Sequence, residues 1–90
     1  MGDWEEQENA QAEIVAKLSQ HSEATDSYAM DAGSIVIEFR DRKDMLICIV
    51  EPGSFQMLWR DKGRFYSCAL PGLSFSTAAA IDAVNSHFDR

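Results

Sequence analysis

The chain has 90 residues, 46% of them apolar, and its 15 acidic and eight basic residues give a net charge of −7. This length predicts a single domain over residues 1–90 with a thin core, and the apolar content excludes an intrinsically disordered protein. An acidic surface repels nucleic acid at long range, which excludes binding over the whole surface and favours a basic partner.

The segment Met1–Glu6 lacks the positive charge of a signal peptide, and no apolar run approaches the roughly 18 residues of a membrane span. Two cysteines are too few for a disulfide framework. We therefore expect a cytoplasmic protein that does not contact membranes.

In chain order, the first predicted element is a helix over residues 3–19. Its apolar side chains, including Ile14, Val15 and Leu18, gather on one side at ~100° per residue. This narrow stripe predicts a helix that lies on a surface. The polar residues 20–33 are predicted to form a loop, with at most a short strand at 28–30.

Four short strands with tight turns are predicted next, and a second helix follows them. The strands cover residues 34–40, 45–51, 54–60 and 64–70, and the helix runs over 77–88 with Ser76 as its N-cap. The predicted fold class is α+β: an N-terminal helix, a four-stranded antiparallel meander and a C-terminal helix, in the order α-β-β-β-β-α. Both helices are expected on one face of the sheet.

The turns also predict the register of the strands. If Arg40 lies opposite Met45, Glu51 opposite Ser54, and Arg60 opposite Arg64, one face is almost wholly apolar and includes Phe39 and Trp59. The other face carries an apolar island with a charged rim, which is typical of a protein-binding surface. The predicted interface consists of Met45, Ile47, Ile49, Leu58, Tyr66, Arg60 and Arg64. The alternative is that residues 20–33 or the chain termini cover this face.

A meander brings the turns at 41–44 and 61–63 to the same end of the sheet. This end is predicted to form a patch for an anion or an acidic partner, consisting of Arg40, Arg42, Lys43 and Lys62, with Arg60 and Arg64 close by. The alternative is a solvated end that prevents aggregation of the sheet edges.

We predict no catalytic residues, no metal site and no cofactor. A Cys–His pair would need a thiol near an imidazole, but the register directs Cys68 away from the helices and His87, and places Cys48 in the core. The carboxylates Glu5, Glu6 and Glu8 do not converge as metal ligands would.

These features favour a non-enzymatic, acidic protein-binding module, such as an inhibitor, an immunity-type protein, a secretion chaperone or an adaptor. Its partner would be another protein or a second copy of the chain in a homodimer. The alternative function is binding of nucleic acid or an anionic ligand through the basic end of the sheet. A small enzyme or metal protein is the third hypothesis.

Overall fold

A computed structural model describes residues 2–41, 45–70 and 75–89, and the fold is α+β. Two helices flank a meander of strands. The elements are α1 (Gly2–Ser19), β1 (Ala24–Ala29), a short 3-10 turn (Asp31–Gly33), β2 (Ile35–Arg40), β3 (Met45–Glu51), β4 (Ser54–Asp61), β5 (Arg64–Leu70) and α2 (Thr77–Phe88). Both predicted helices are confirmed. At the start of α2, the Ser76 hydroxyl oxygen accepts a hydrogen bond from the Ala79 amide at 3.1 Å.

The sheet has five antiparallel strands in the order β1-β2-β3-β4-β5, so the prediction of four strands was wrong. The additional strand, β1, lies in the segment that was predicted to be a loop. Its sequence is polar, and its side chains are largely exposed because it lies at the edge of the sheet. An exposed edge strand shows no alternation of apolar and polar residues, so the pattern that identifies a half-buried strand is missing here.

The predicted register is confirmed for two hairpins and wrong for the third. Arg40 lies opposite Met45 and Glu51 opposite Ser54. In the last hairpin, however, Arg64 lies opposite Asp61, and Arg60 lies opposite Phe65. The loop therefore has two residues instead of three, and a shift of one residue moves every side chain of β5 to the other face.

The cause of the shift is the conformation of Lys62. Both loop residues have positive φ angles, 54° at Lys62 and 80° at Gly63, as in a type I′ turn. A three-residue loop would also place Gly63 in the left-handed region. Gly63 is therefore compatible with a loop of either length. Only the two-residue loop requires a positive φ at Lys62, a conformation that a lysine rarely adopts.

The core lies between the two helices and one face of the sheet. Its buried members are Ile14, Leu18, Ile37, Phe39, Leu46, Cys48, Val50, Phe55, Met57, Ala80 and Val84. The predicted burial of Phe39 is confirmed, whereas Trp59 is half-buried at the margin of this cluster. We call the face beneath the helices the helix face, and the opposite face the open face.

Polar contacts hold α1 across the ends of the strands. The Gln11 side-chain amide is nearly buried and donates to the carbonyl oxygens of Gly33 and Val50, each at 2.8 Å. One turn earlier, Gln7 lies over Gly53, where an added Cβ would come within 3.0 Å of the Gln7 side chain. These contacts place α1 on the helix face, and neither helix of the described residues lies on the open face.

Candidate protein-binding face

The open face carries apolar residues in its middle. Ile47 and Ile49 of β3 are half-buried, as is Leu58 of β4, while Met45 is 41% exposed. The cross-strand pairs place Ile47 beside Leu58 and Ile49 beside Gln56. A shallow depression of about 260 Å³ is lined by Met45, Ile47, Leu58, Trp59, Arg60, Phe65 and Tyr66. Five of the predicted interface residues, Met45, Ile47, Leu58, Arg60 and Tyr66, line this depression, and Ile49 shares the open face of β3 with Ile47.

The cross-strand pairs place Tyr66 and Arg64 on the helix face, so the register that assigned them to the open face was wrong, but Tyr66 still lines the depression. Tyr66 lies opposite Trp59, and the two rings stack with their centroids 5.7 Å apart. The reason is the shortened loop, which inverts β5.

Phe65 takes the position on the open face that was predicted for Tyr66. Its side chain is 80% exposed, the largest value among the exposed large apolar residues of the described part of the chain. The Arg60 guanidinium lies 5.7 Å from the centre of its ring, within the range of a cation–π contact. Sequence reasoning missed Phe65, and only the geometry of the turn could have revealed it.

One corner of the open face is acidic. Asp26 and Glu38 lie opposite each other on β1 and β2, and the Tyr28 hydroxyl donates a 2.8 Å hydrogen bond to Glu38 Oε2. This hydrogen bond raises the pKa of Tyr28, because the phenol is the donor and its ionisation would place two negative charges together. The corner therefore holds carboxylates beside an apolar area, and Arg60 lies on the other side of β3, on β4.

Residues 24–29 do not lie across the open face. They form β1, which pairs side by side with β2 and extends the sheet in its own plane. The alternative in which the segment 20–33 covers the apolar island is therefore wrong for the strand within it. Val36 is a buried residue of this face, and it lies between Tyr28 and Ile49 of the neighbouring strands.

The predicted basic patch is described only in part. Arg40 and Lys62 are exposed and belong to the end of the sheet where the β2–β3 and β4–β5 connections lie, as do Arg60 and Arg64. Arg42 and Lys43 lie outside the described residues. The role of this end in binding an anion or an acidic partner stays a prediction.

The inverted β5 also moves Cys68, which was predicted to point away from the helices. It shares the helix face with Met57, its cross-strand partner, and lines a cavity of about 120 Å³ with Trp59 and His87. His87 Nε2 lies 2.6 Å from Asp41 Oδ2. Cys48 and Cys68 are both free thiols.

Within residues 2–41, 45–70 and 75–89, no group of three or more His, Cys, Asp or Glu side chains is placed to hold a metal ion. No helix in these ranges has the length and apolar character needed to cross a bilayer.

No match to this chain is found among protein-family models, curated proteins or solved structures.

Proposed function

We propose that the chain is a non-enzymatic protein-binding module that uses the open face of its sheet, as an inhibitor, an immunity-type protein, a secretion chaperone or an adaptor does. The observation that carries the proposal is the exposed apolar area formed by Met45, Ile47, Leu58 and Phe65 beside charged corners. Apolar side chains surrounded by a polar rim are the usual anatomy of a protein interface.

Charge favours a partner with a basic surface. The net charge of −7 attracts such a protein at long range, and Asp26 and Glu38 offer carboxylates at the edge of the apolar area. On the other side, Arg60 and Phe65 are of residue types that often dominate binding energy or are enriched at interfaces. We propose an apolar patch with a basic rim as the complementary feature of the partner, and the cytoplasm as the compartment.

The test places a charge in the middle of the open face. Ile49→Asp should abolish binding to a partner captured from the native cell and identified by mass spectrometry, since a carboxylate buried in the complex would lack a counter-charge. The domain should stay folded, because Ile49 is only half-buried in the free chain. Binding is measured by calorimetry and folding by thermal denaturation.

Ala16→Asp is the matched control. It adds the same carboxylate to an exposed position of α1, away from the sheet. Loss of binding in Ile49→Asp alone supports the proposal. Equal binding by both variants would contradict it, because the interface would then lie elsewhere.

A further inference from the structure

We propose that β5 is a self-pairing edge, through which two copies of this chain form one continuous antiparallel sheet. The proposal concerns the edge of the sheet, so it is independent of the partner that binds the open face. It rests on three observations: the direction of the backbone groups of β5, the lack of a proline, lysine, acidic residue or bulge within that strand, and the pattern of large and small side chains along it.

The direction of the backbone groups follows from the hairpin turns. In a type I′ turn, the residues that flank the loop form a hydrogen-bonded pair, so Asp61 and Arg64 bond to each other. Hydrogen-bonded pairs recur at every second residue, so Tyr66 and Cys68 also bond to β4. The turn between Glu51 and Ser54 leads to the same result: along β4, residues that bond to β3 alternate with residues that bond to β5.

The amide and carbonyl groups of Phe65, Ser67 and Ala69 therefore point away from β4. Among the strands that the structure describes, β5 pairs with β4 only and forms one edge of the sheet. Each of these three residues presents one donor and one acceptor at this edge, which is the arrangement that an additional antiparallel strand requires.

The two edges of the sheet differ in their protection. β1 carries Asp26 and a bulge between Ala24 and Asp26, both of which discourage pairing with another chain. β5 pairs with β4 over seven residues without a bulge, and it contains no proline, no lysine and no acidic residue. A long, regular edge of this kind is a template for another strand.

The second copy is favoured as the occupant because the side chains of β5 are self-complementary. In a two-fold pairing centred on Ser67, Phe65 of one copy lies opposite Ala69 of the other, and Tyr66 lies opposite Cys68. Each large ring thus meets a small residue. This register also uses all three outward-pointing residues as hydrogen-bonded pairs.

The distribution of charge on the chain is consistent with two copies that pair through β5. Two copies of net charge −7 repel each other, so an edge without carboxylates is a favourable place for them to meet. The pairing would shelter Phe65, which is 80% exposed in the single chain. The open faces of the two copies would then lie side by side on the same side of the joined sheet.

The first experiment measures the mass of the full chain by light scattering over a concentration series, with folding followed by circular dichroism. We expect a dimer that Ser67→Pro converts to a folded monomer, because proline removes an outward-pointing N–H group that β4 does not use. Ser67→Thr is the control and should stay dimeric. A parent chain that is monomeric at all concentrations overturns the proposal, as does a folded Ser67→Pro dimer.

A second experiment decides the outcome if Ser67→Pro does not fold. In the proposed register, Tyr66 and Cys68 of the partner form a non-hydrogen-bonded pair with Cα atoms about 4.5 Å apart, within the roughly 4.4–6.8 Å range of disulfides. Tyr66→Cys should give a covalent dimer under copper-catalysed air oxidation, in which oxygen takes up the electrons and protons of the thiols. Ala78→Cys, on the exposed side of α2, should not. Equal cross-linking of the two variants, or none in Tyr66→Cys, overturns the pairing.

Discussion

His87 in the last turn of α2 and Asp41, which directly follows β2, are joined by a hydrogen bond of 2.6 Å between Nε2 and Oδ2. Both side chains are only 8% exposed. The imidazole also meets the Trp59 ring edge-to-face, with the centroids 5.2 Å apart. This contact fastens the C-terminal end of α2 to the sheet.

Removal of the acceptor should therefore destabilise the fold. Asp41→Ala leaves the His87 N–H group without this partner in a nearly dry site, and we expect a loss of about 1–3 kcal/mol in the free energy of unfolding. Asp41→Asn keeps a carbonyl oxygen and should lose less. Chemical denaturation measures both variants, and Asp82→Ala, exposed on α2, is the control. An Asp41→Ala protein as stable as the parent would contradict the role of this contact.

Two phenylalanines test which face of the sheet holds the core. Phe39 is 2% exposed beneath the helices, and Phe39→Ala should cost about 3–5 kcal/mol because it removes a buried ring and leaves a cavity. Phe65→Ala removes the same atoms from a side chain that is 80% exposed, so its effect should stay within about 0.5 kcal/mol. Thermal denaturation at low protein concentration measures both. Similar losses would mean that β5 is placed on the wrong face.

The two thiols should differ in reactivity. Burial raises the pKa of Cys48 to about 12, because the thiolate would lose its hydration, whereas Cys68 is exposed. Iodoacetamide at neutral to mildly alkaline pH should alkylate Cys68 in the folded protein and leave Cys48 unmodified until the chain is unfolded. Peptide mass spectrometry measures both sites. The unfolded chain, in which both thiols should react at similar rates, is the control. Equal labelling in the folded state would contradict the burial of Cys48.

The sequence predicted those parts of the fold in which burial leaves a pattern. The register of β3 was predicted from the short turns that flank it, and the structure shows the expected alternation, with Leu46, Cys48 and Val50 buried. The predicted bounds of α2 agree with the structure, and Ser76, a recognisable N-cap, accounts for where the helix begins. In both β3 and α2, the turn or cap residues and the burial of the side chains favour the same structure.

The candidate site was predicted less well, because one face of β5 is not distinguished from the other by burial. Six of its seven residues are exposed, so the alternation that would assign Phe65 and Tyr66 to faces is absent. The assignment then depended on the loop length, and Lys62 in the left-handed region allowed the shorter loop. Edge strands such as β1 and β5 interact on one side only, and their sequences carry correspondingly less information about register.

The last prediction concerns the basic end of the sheet as an alternative binding site. If the open face is the functional surface, the parent chain should not bind a duplex or single-stranded oligonucleotide at about 150 mM salt, because its net charge of −7 opposes the approach of phosphate. Fluorescence anisotropy over a salt series measures this. A triple variant with Arg42, Lys43 and Lys62 changed to Glu should then behave as the parent does.

Lys62→Glu and Lys17→Glu form a matched pair within this experiment. Each reverses one charge and changes the net charge equally, but Lys17 lies on α1, where it pairs with Glu13 at 3.7 Å. Suppose the parent binds an oligonucleotide with an affinity that falls steeply with salt. If Lys62→Glu also weakens this binding while Lys17→Glu leaves it intact, the functional surface would be the basic end of the sheet instead of the open face, since only local charges contact phosphate directly.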